Sequence, residues 1–247
     1  PTRRSSDLLR RETNRSAWRP VLDGALIVAG ALDAQRRSVN RRRPLLLGTN
    51  RDEQRLFVNL RERLDPERAR DRLAAALASR CADPDAAAGR VLAAQQARLP
   101  EAGAPVLLAA ALTDLHYRIP ALAIAGARAA AGARTWLYRF DRPSPALRGR
   151  LGACHALEIT FVLGTLDAPG MARFAGTDAG AGCLSEAMMD RWAAFARAGT
   201  PDPAWPAWTP AQRHCWIAGG DARCRTDADD ALLALWGPLL PDAGLPA

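Results

Sequence analysis

Pro44-Leu45-Leu46-Leu47-Gly48-Thr49-Asn50-Arg51-Asp52-Glu53-Gln54-Arg55-Leu56-Phe57 is the stretch on which the fold turns. A short, continuous apolar run that stops at a glycine and polar turn formers reads as a strand buried on both faces, the kind found inside parallel sheets. The acidic residues Asp52 and Glu53 then open a helical pattern, where the positive end of a helix dipole favours them. Strand, tight turn and helix in this order are the signature of an α/β layering. Working outward, Thr135-Trp136-Leu137-Tyr138-Arg139-Phe140 alternates like a strand and ends at Asp141-Arg142-Pro143. Between the two strands lies a helical block. Its alanine-rich segments 67–80 and 85–99 are separated by Cys81-Ala82-Asp83-Pro84, a third helix runs from 105 toward 118 and ends before Pro120, and 121–131 forms a kinked continuation that stops at Gly132. Farther on, residues 185–195 read as an amphipathic helix with Ser185 as N-cap, Gly199 as stop, and Met188, Met189, Trp192 and Phe195 on the core stripe. The tail from Trp205 is rich in proline and tryptophan and closes on a short apolar helix near 231–236. With no internal repeat and no linker, residues 1–247 read as a single unit.

The composition agrees with a packed protein. The chain has 247 residues, 49% of them hydrophobic and 24% charged, which excludes disorder, collagen and a disulfide scaffold. Its net charge of +8 comes from arginine alone, since the sequence contains no lysine. Eleven of the arginines fall within residues 1–43 against four acids, so the rest of the chain is close to neutral. Residues 1–17 read as a basic arm whose composition is compatible with disorder. No aromatic or groove-reading motif accompanies that charge, so no nucleic-acid partner is expected. The five cysteines form no C-x-x-C pair, and the compartment stays open. His214, Cys215 and Cys224 lack a fourth ligand at finger-like spacing, and no metal site is expected. Apolar runs such as 105–112 are too short to span a bilayer, with Asp114 and Arg118 closing that one, so no membrane partner is expected. The chain opens on Pro1 with no apolar signal core after it, which reads as a cut or a truncated record.

Only three histidines can serve as a base near neutral pH. His116 follows Asp114 inside a helical pattern and reads as a packed or capping residue. His214 sits among Gln212, Arg213 and Cys215, in a peripheral turn or edge strand without a nearby acid. His155 lies in Gly152-Ala153-Cys154-His155-Ala156-Leu157-Glu158, a loop soon after the second strand, and open α/β sheets place their sites at such carboxyl ends.

Six pieces of this sequence, in order, carry a resemblance to one family. They are Pro20-Val21-Leu22-Asp23-Gly24; Gly48-Thr49-Asn50-Arg51-Asp52-Glu53; Leu112-Thr113-Asp114 with Pro120; Tyr138-Arg139-Phe140; Gly152 through Glu158; and Trp192 through Gly199 with Trp205-Pro206. From about residue 18 to 208 the chain resembles the C-terminal half of a type-B carboxylesterase, the cholinesterase-like branch of the α/β-hydrolases. The resemblance implies a mostly parallel sheet flanked by helices, incomplete without an N-terminal half. It also implies hydrolysis of a small-molecule carboxylic ester by a Ser-Glu-His triad, with Glu53 as the acid, His155 as the base, and Asp52 and Glu158 as supporting residues. A hydroxyl is a weak nucleophile until a histidine takes its proton, and a carboxylate holds that imidazole in one tautomer. Such a mechanism needs no cofactor. Cys154, beside the base, reads as a packing residue.

The departures from the family pattern matter equally. None of the seven serines sits in a G-x-S-x-G elbow, and the glycine-rich oxyanion loop is absent, so the chain holds no nucleophile of its own. Gln54 stands where the family has glycine, which alters the demand on the turn. The expectation is therefore a chain that supplies acid and base, pairs with the missing half of its fold, and is inactive alone. The excess charge of residues 1–43 is expected to face that half. The alternatives are a non-catalytic cholinesterase-like binding module and, last, an arginine-rich nucleic-acid binder.

Overall fold

The computed structural model describes residues 21–37, 40–220 and 222–245. The basic arm 1–17, and Pro20 of the first motif, lie outside the described residues, as does much of the charge-rich stretch 1–43.

Four strands form one sheet in the order β1-β2-β3-β4. β1 (Leu45–Asn50) and β2 (Thr135–Phe140) run parallel in the register Leu45 to Thr135 through Asn50 to Phe140. β3 (Cys215–Ala218) continues the parallel run beside β2, and the short β4 (Cys224–Arg225) returns antiparallel. Among the described residues β1 pairs on one side only, leaving its outer edge open. β3 is an internal strand, buried throughout, where the sequence around His214 suggested only a peripheral turn or edge. Its four residues Cys215-Trp216-Ile217-Ala218 are apolar without alternation, and that pattern alone does not announce a strand.

The helical connection between β1 and β2 contains most of the first core. α1 (Ala31–Arg36) precedes β1; α2 (Pro66–Leu77), α3 (Pro84–Arg98), α4 (Ala104–Thr113) and α5 (Ile119–Ala130) follow it. Asp65 and Asp83 cap α2 and α3 by accepting the Arg68 and Ala86 amides, with proline in the first turn of each. Leu73 and Leu77 of α2, Val91 of α3, Leu108 of α4 and Leu115 just beyond it pack together with Trp236 of α9 (Asp230–Trp236). The sheet sits between two layers. Leu47 and Leu137 face α5, while Leu46, Trp136, Tyr138, Phe140 and Trp216 face α8 (Ala179–Ala198), the period-2 alternation of a two-faced sheet. Two short helices, α6 (Ile159–Val162) and α7 (Met171–Ala175), lead into α8. Asp178, not Ser185, caps α8; Ser185 is buried in the helix and donates to the Phe161 carbonyl at 2.9 Å. Met189 is 36% exposed and stands off the core stripe, whereas Met188 is fully buried. Gly199 ends the helix in the left-handed region, φ 71°, as its position predicted.

Two further departures have clear causes. Asp52-Glu53 opens only a single 3-10 turn (Glu53–Leu56), because the Asp52 side chain is committed elsewhere and caps nothing. Pro120 does not end the third helix: a π turn (Asp114–Arg118) joins α4 to α5, and Pro120 falls in the first turn of α5, directly after the wide turn where the hydrogen-bond ladder is already shifted. The helix is therefore continuous over Ala104–Ala130, 27 residues, long and apolar enough by length and composition to cross a membrane, although 72% of its most apolar window is buried against the rest of the protein. The sequence reading, which broke this segment at residue 118, had placed it below that length.

The π turn also aims Arg118 under the sheet. Its guanidinium forks onto Asp229, Nε to Oδ1 at 2.7 Å and Nη2 to Oδ2 at 2.6 Å, with both side chains almost fully buried. It donates as well to the Tyr138 carbonyl of β2 at 3.2 Å and to Cys215 Sγ of β3 at 3.2 Å. Removing one partner strands a buried charge, so Asp229→Ala is expected to lower unfolding free energy by about 3–5 kcal/mol in denaturant titration, and Arg118→Met with Asp229→Leu by much less. Asp114, on the same turn, accepts from Gln95 Nε2 at 2.8 Å and Trp236 Nε1 at 3.2 Å. Burial pushes its carboxyl up to about 6. The folded state thus binds that proton more tightly than the unfolded chain, and stability falls as pH rises from the ordinary carboxylate range through 6. Asp114→Asn should abolish this loss: its melting temperature should gain on wild type between about pH 4 and pH 7 and track it below.

Candidate active site

Parallel pairing brings the carboxyl ends of β1 and β2 side by side, and the loops that leave them meet. The meeting is stitched by Asp52. Its N–H donates to the Ala153 carbonyl at 2.9 Å, and its Oδ2 accepts the Ala153 N–H at 2.9 Å. Arg55 Nε, at 3.1 Å from Oδ1, balances the charge. Gly152 lies against this carboxylate with φ 59°, and a Cβ there would collide with Asp52 Oδ2. Only glycine meets both demands.

The stitched loops place Glu53 and His155 in contact. His155 Nδ1 lies 2.7 Å from Glu53 Oε2. The acid's other oxygen, Oε1, accepts the Asn50 N–H at 2.7 Å. Glu53 is 6% exposed and the imidazole 43%, so the acid is enclosed while the base reaches the surface. Burial pushes the Glu53 carboxyl up; the bonds from Asn50 and His155 pull it down, and nearby Glu158 opposes them. Phe57 and Tyr117 flank the imidazole, ring centroids 5.2 Å and 5.6 Å away. With Nδ1 bonded to a carboxylate, the neutral ring carries its proton there and offers the Nε2 lone pair. Among the described residues Nε2 has no hydrogen-bond partner. That is the arrangement of a general base with its orienting acid.

Glu158 accepts from the Asn50 side-chain amide. Asp52, Glu53, His155 and Glu158, the four residues singled out in the sequence, thus lie in two facing loops. His116 is exposed on the π turn and His214 precedes β3; neither is hydrogen-bonded to Glu53. Cys154 is buried, and burial pushes its thiol up to about 11, far from nucleophilic. Gln54 avoids the left-handed region, and its N–H donates to Thr113 Oγ1 at 3.0 Å, so the turn accepts a non-glycine. Asn50, Thr113 and the rings of Phe57 and Tyr117 were missed by sequence reasoning. Asn50 had a signal, a polar residue closing an apolar strand one turn before the acid. Tyr117 had none, because only the π turn rotates it toward the loop.

The sheet, its flanking helices and these loop positions define the class: the C-terminal part of an α/β-hydrolase fold. The profile described as the carboxylesterase family matches residues 2–224, and the chain belongs to that family. It is 33% identical over 112 residues to carboxylesterase 5A of Felis catus, covering 42% of this chain and 21% of that protein. It is likewise 33% identical over 124 residues to the para-nitrobenzyl esterase of Bacillus subtilis (strain 168), covering 48% of this chain and 24% of that one. Among solved structures, the Geobacillus stearothermophilus carboxylesterase EST55 at pH 6.2 superposes with a TM-score of 0.75 at 26% identity, over 89% of this chain and 45% of that one. A PNB esterase superposes with a TM-score of 0.73 at 28% identity, over 96% and 47%. The chain therefore spans about half the length of these structures.

Gly152→Ala should break the stitch. It adds a clash and a left-handed alanine, and a loss of about 1–3 kcal/mol is expected from thermal or denaturant melts, with faster amide exchange at Ala153.

Proposed function

We propose that this chain supplies the acid and base of a serine-type carboxylic-ester hydrolase, and that the nucleophile and oxyanion donors come from an N-terminal half of the same fold. The observation that carries this reading is the 2.7 Å contact between His155 Nδ1 and a buried Glu53, itself anchored by a backbone N–H. In the reaction His155 Nε2 takes the proton of a serine hydroxyl as it attacks the ester carbonyl, then returns it to the departing alcohol. Glu53 keeps the imidazole in the competent tautomer and stabilises its charged form. Asp52 and Glu158 hold the loops and do not meet the substrate. Membership of the carboxylesterase family supports ester hydrolysis as the chemistry.

The partner half docks, on this reading, along the open edge of β1 and over the apolar residues near the dyad. Phe57, whose ring flanks the imidazole, is 58% exposed, and Ile159, next to Glu158 in the base loop, is 48% exposed. Residues 1–247 act as one such portion, without metal or organic cofactor and without a role in binding nucleic acid or membrane.

The test is complementation. The purified chain is expected to show no turnover of p-nitrophenyl esters above background. Co-expressed with a polypeptide carrying the G-x-S-x-G half of a carboxylesterase, it should hydrolyse them. His155→Ala should abolish that activity, and Glu53→Gln should cut kcat by about 10⁴-fold, the loss typical when the orienting acid is replaced by its amide. Turnover by the chain alone that disappears in His155→Ala would overturn the division of labour. A complemented sheet that hydrolyses nothing would favour the non-catalytic binding module.

A further inference from the structure

We propose that Asn50 is a positioning residue of the dyad, whose side chain, beside the Asp52 stitch, fixes the stretch of the base loop that carries His155 relative to the acid loop. The proposal rests on the reading of Glu53 and His155 as acid and base, and it concerns a residue outside that pair.

Asn50 is the last residue of β1, 1% exposed, and its backbone is locked in register against Phe140. It acts in two directions. Its main-chain N–H holds Glu53 Oε1. Its side-chain Nδ2 donates to the Cys154 carbonyl at 2.7 Å and to the Glu158 carboxylate. Those acceptors stand one residue before and three residues after His155, so the amide grips the base loop on both sides of the imidazole. The amide's orientation follows from its partners: both are acceptors, and a flipped Oδ1 would face two lone-pair donors. Oδ1 itself is buried without a hydrogen-bond partner among the described residues.

The segment between the two grips needs holding. Ala156, immediately after His155, has φ 64°, a left-handed conformation that disfavours any residue with a Cβ. Such a backbone persists where its surroundings over-determine it. The Asn50 amide supplies two of the constraints that bracket it. It also satisfies Glu158, whose charge lies close enough to Glu53 to push that carboxyl up. Without the amide, the base loop loses both of its ties to the Asn50 side chain, one on each side of the imidazole. Asn50 therefore keeps His155 Nδ1 against Glu53, and with it the proton on that nitrogen.

The experiment is ¹⁵N NMR of the imidazole nitrogens in the full chain, at a pH where the ring is neutral, for wild type, Asn50→Asp and Asn50→Ala. Asn50→Asp keeps the shape and the backbone N–H but has no donor; Asn50→Ala keeps only the backbone bond. Asp83→Ala, which removes a helix cap far from the loops, controls for general loss of stability. Wild type is expected to show the Nδ1–H tautomer in at least tenfold excess, with a slowly exchanging Nδ1 proton. Both Asn50 variants should lose that excess and the slow exchange while keeping the far-ultraviolet dichroism of wild type, and Asp83→Ala should retain both signatures. A wild-type preference that survives in both variants overturns the role of Asn50 and leaves the dyad standing. Absence of the preference in wild type overturns the dyad reading, and this proposal with it. Unfolding of both Asn50 variants makes the residue a structural one and also overturns it.

Discussion

The parallel pairing of β1 with β2 is the constraint from which the rest follows. Residues at the carboxyl end of one strand lie beside those at the carboxyl end of the other, Asn50 opposite Phe140, and both chains must leave the sheet there. Two loops more than a hundred residues apart in sequence are thereby forced into one small volume. What they do in that volume is settled by polar bookkeeping at close range: Asp52 takes up the Ala153 amide, Asn50 takes up the Cys154 carbonyl, and Glu53 and His155 are left facing each other.

That pairing is reinforced from below. Arg118 is buried, charged, and spread across β1, β2 and β3, with Asp229 closing its fork. A buried ion pair is a weak source of net stability, but its hydrogen bonds have direction, and a cation in this position fixes the relative height of three strands. The tryptophans on the opposite face act without direction. Trp192 and Trp205 pack on Trp216, and Arg191 covers its ring at 4.7 Å. Specific geometry comes from one face of the sheet and bulk burial from the other.

Much of this was legible in the sequence, for identifiable reasons. β1 and β2 were readable because a bounded apolar run and a clean alternation each have few structural interpretations, and α2 and α3 because Asp-Pro marks each start. β3 was not, since four apolar residues carry no period. The α8 cap was misplaced because Ser185 looks like an N-cap in isolation, whereas Asp178 is separated from the apolar stripe by small residues that are helical only in context. Glu53, His155, Asp52 and Glu158 were singled out through an ordered set of motifs, and the fold brings them into two facing loops; spacing alone would have left Glu53 a first-turn carboxylate. Asn50 and Tyr117 escaped because their parts depend on hydrogen-bond direction and on helix phase, neither of which a string of residues records.

Helix phase has a consequence of its own. The π turn at Asp114–Arg118 holds one more residue than an α-helical turn does, and its wider winding absorbs that residue without turning the face of α4 against the face of α5. The α-helical turns on either side have no such slack, and one residue lost there rotates everything beyond it by about 100°. Thr113, which receives the Gln54 amide, and Arg118, which ties the strands, cannot both keep their partners after such a rotation. The flanking turns should therefore tolerate many substitutions but no change of length, while the π turn is the place in this helix where the residue count can change by one at least cost.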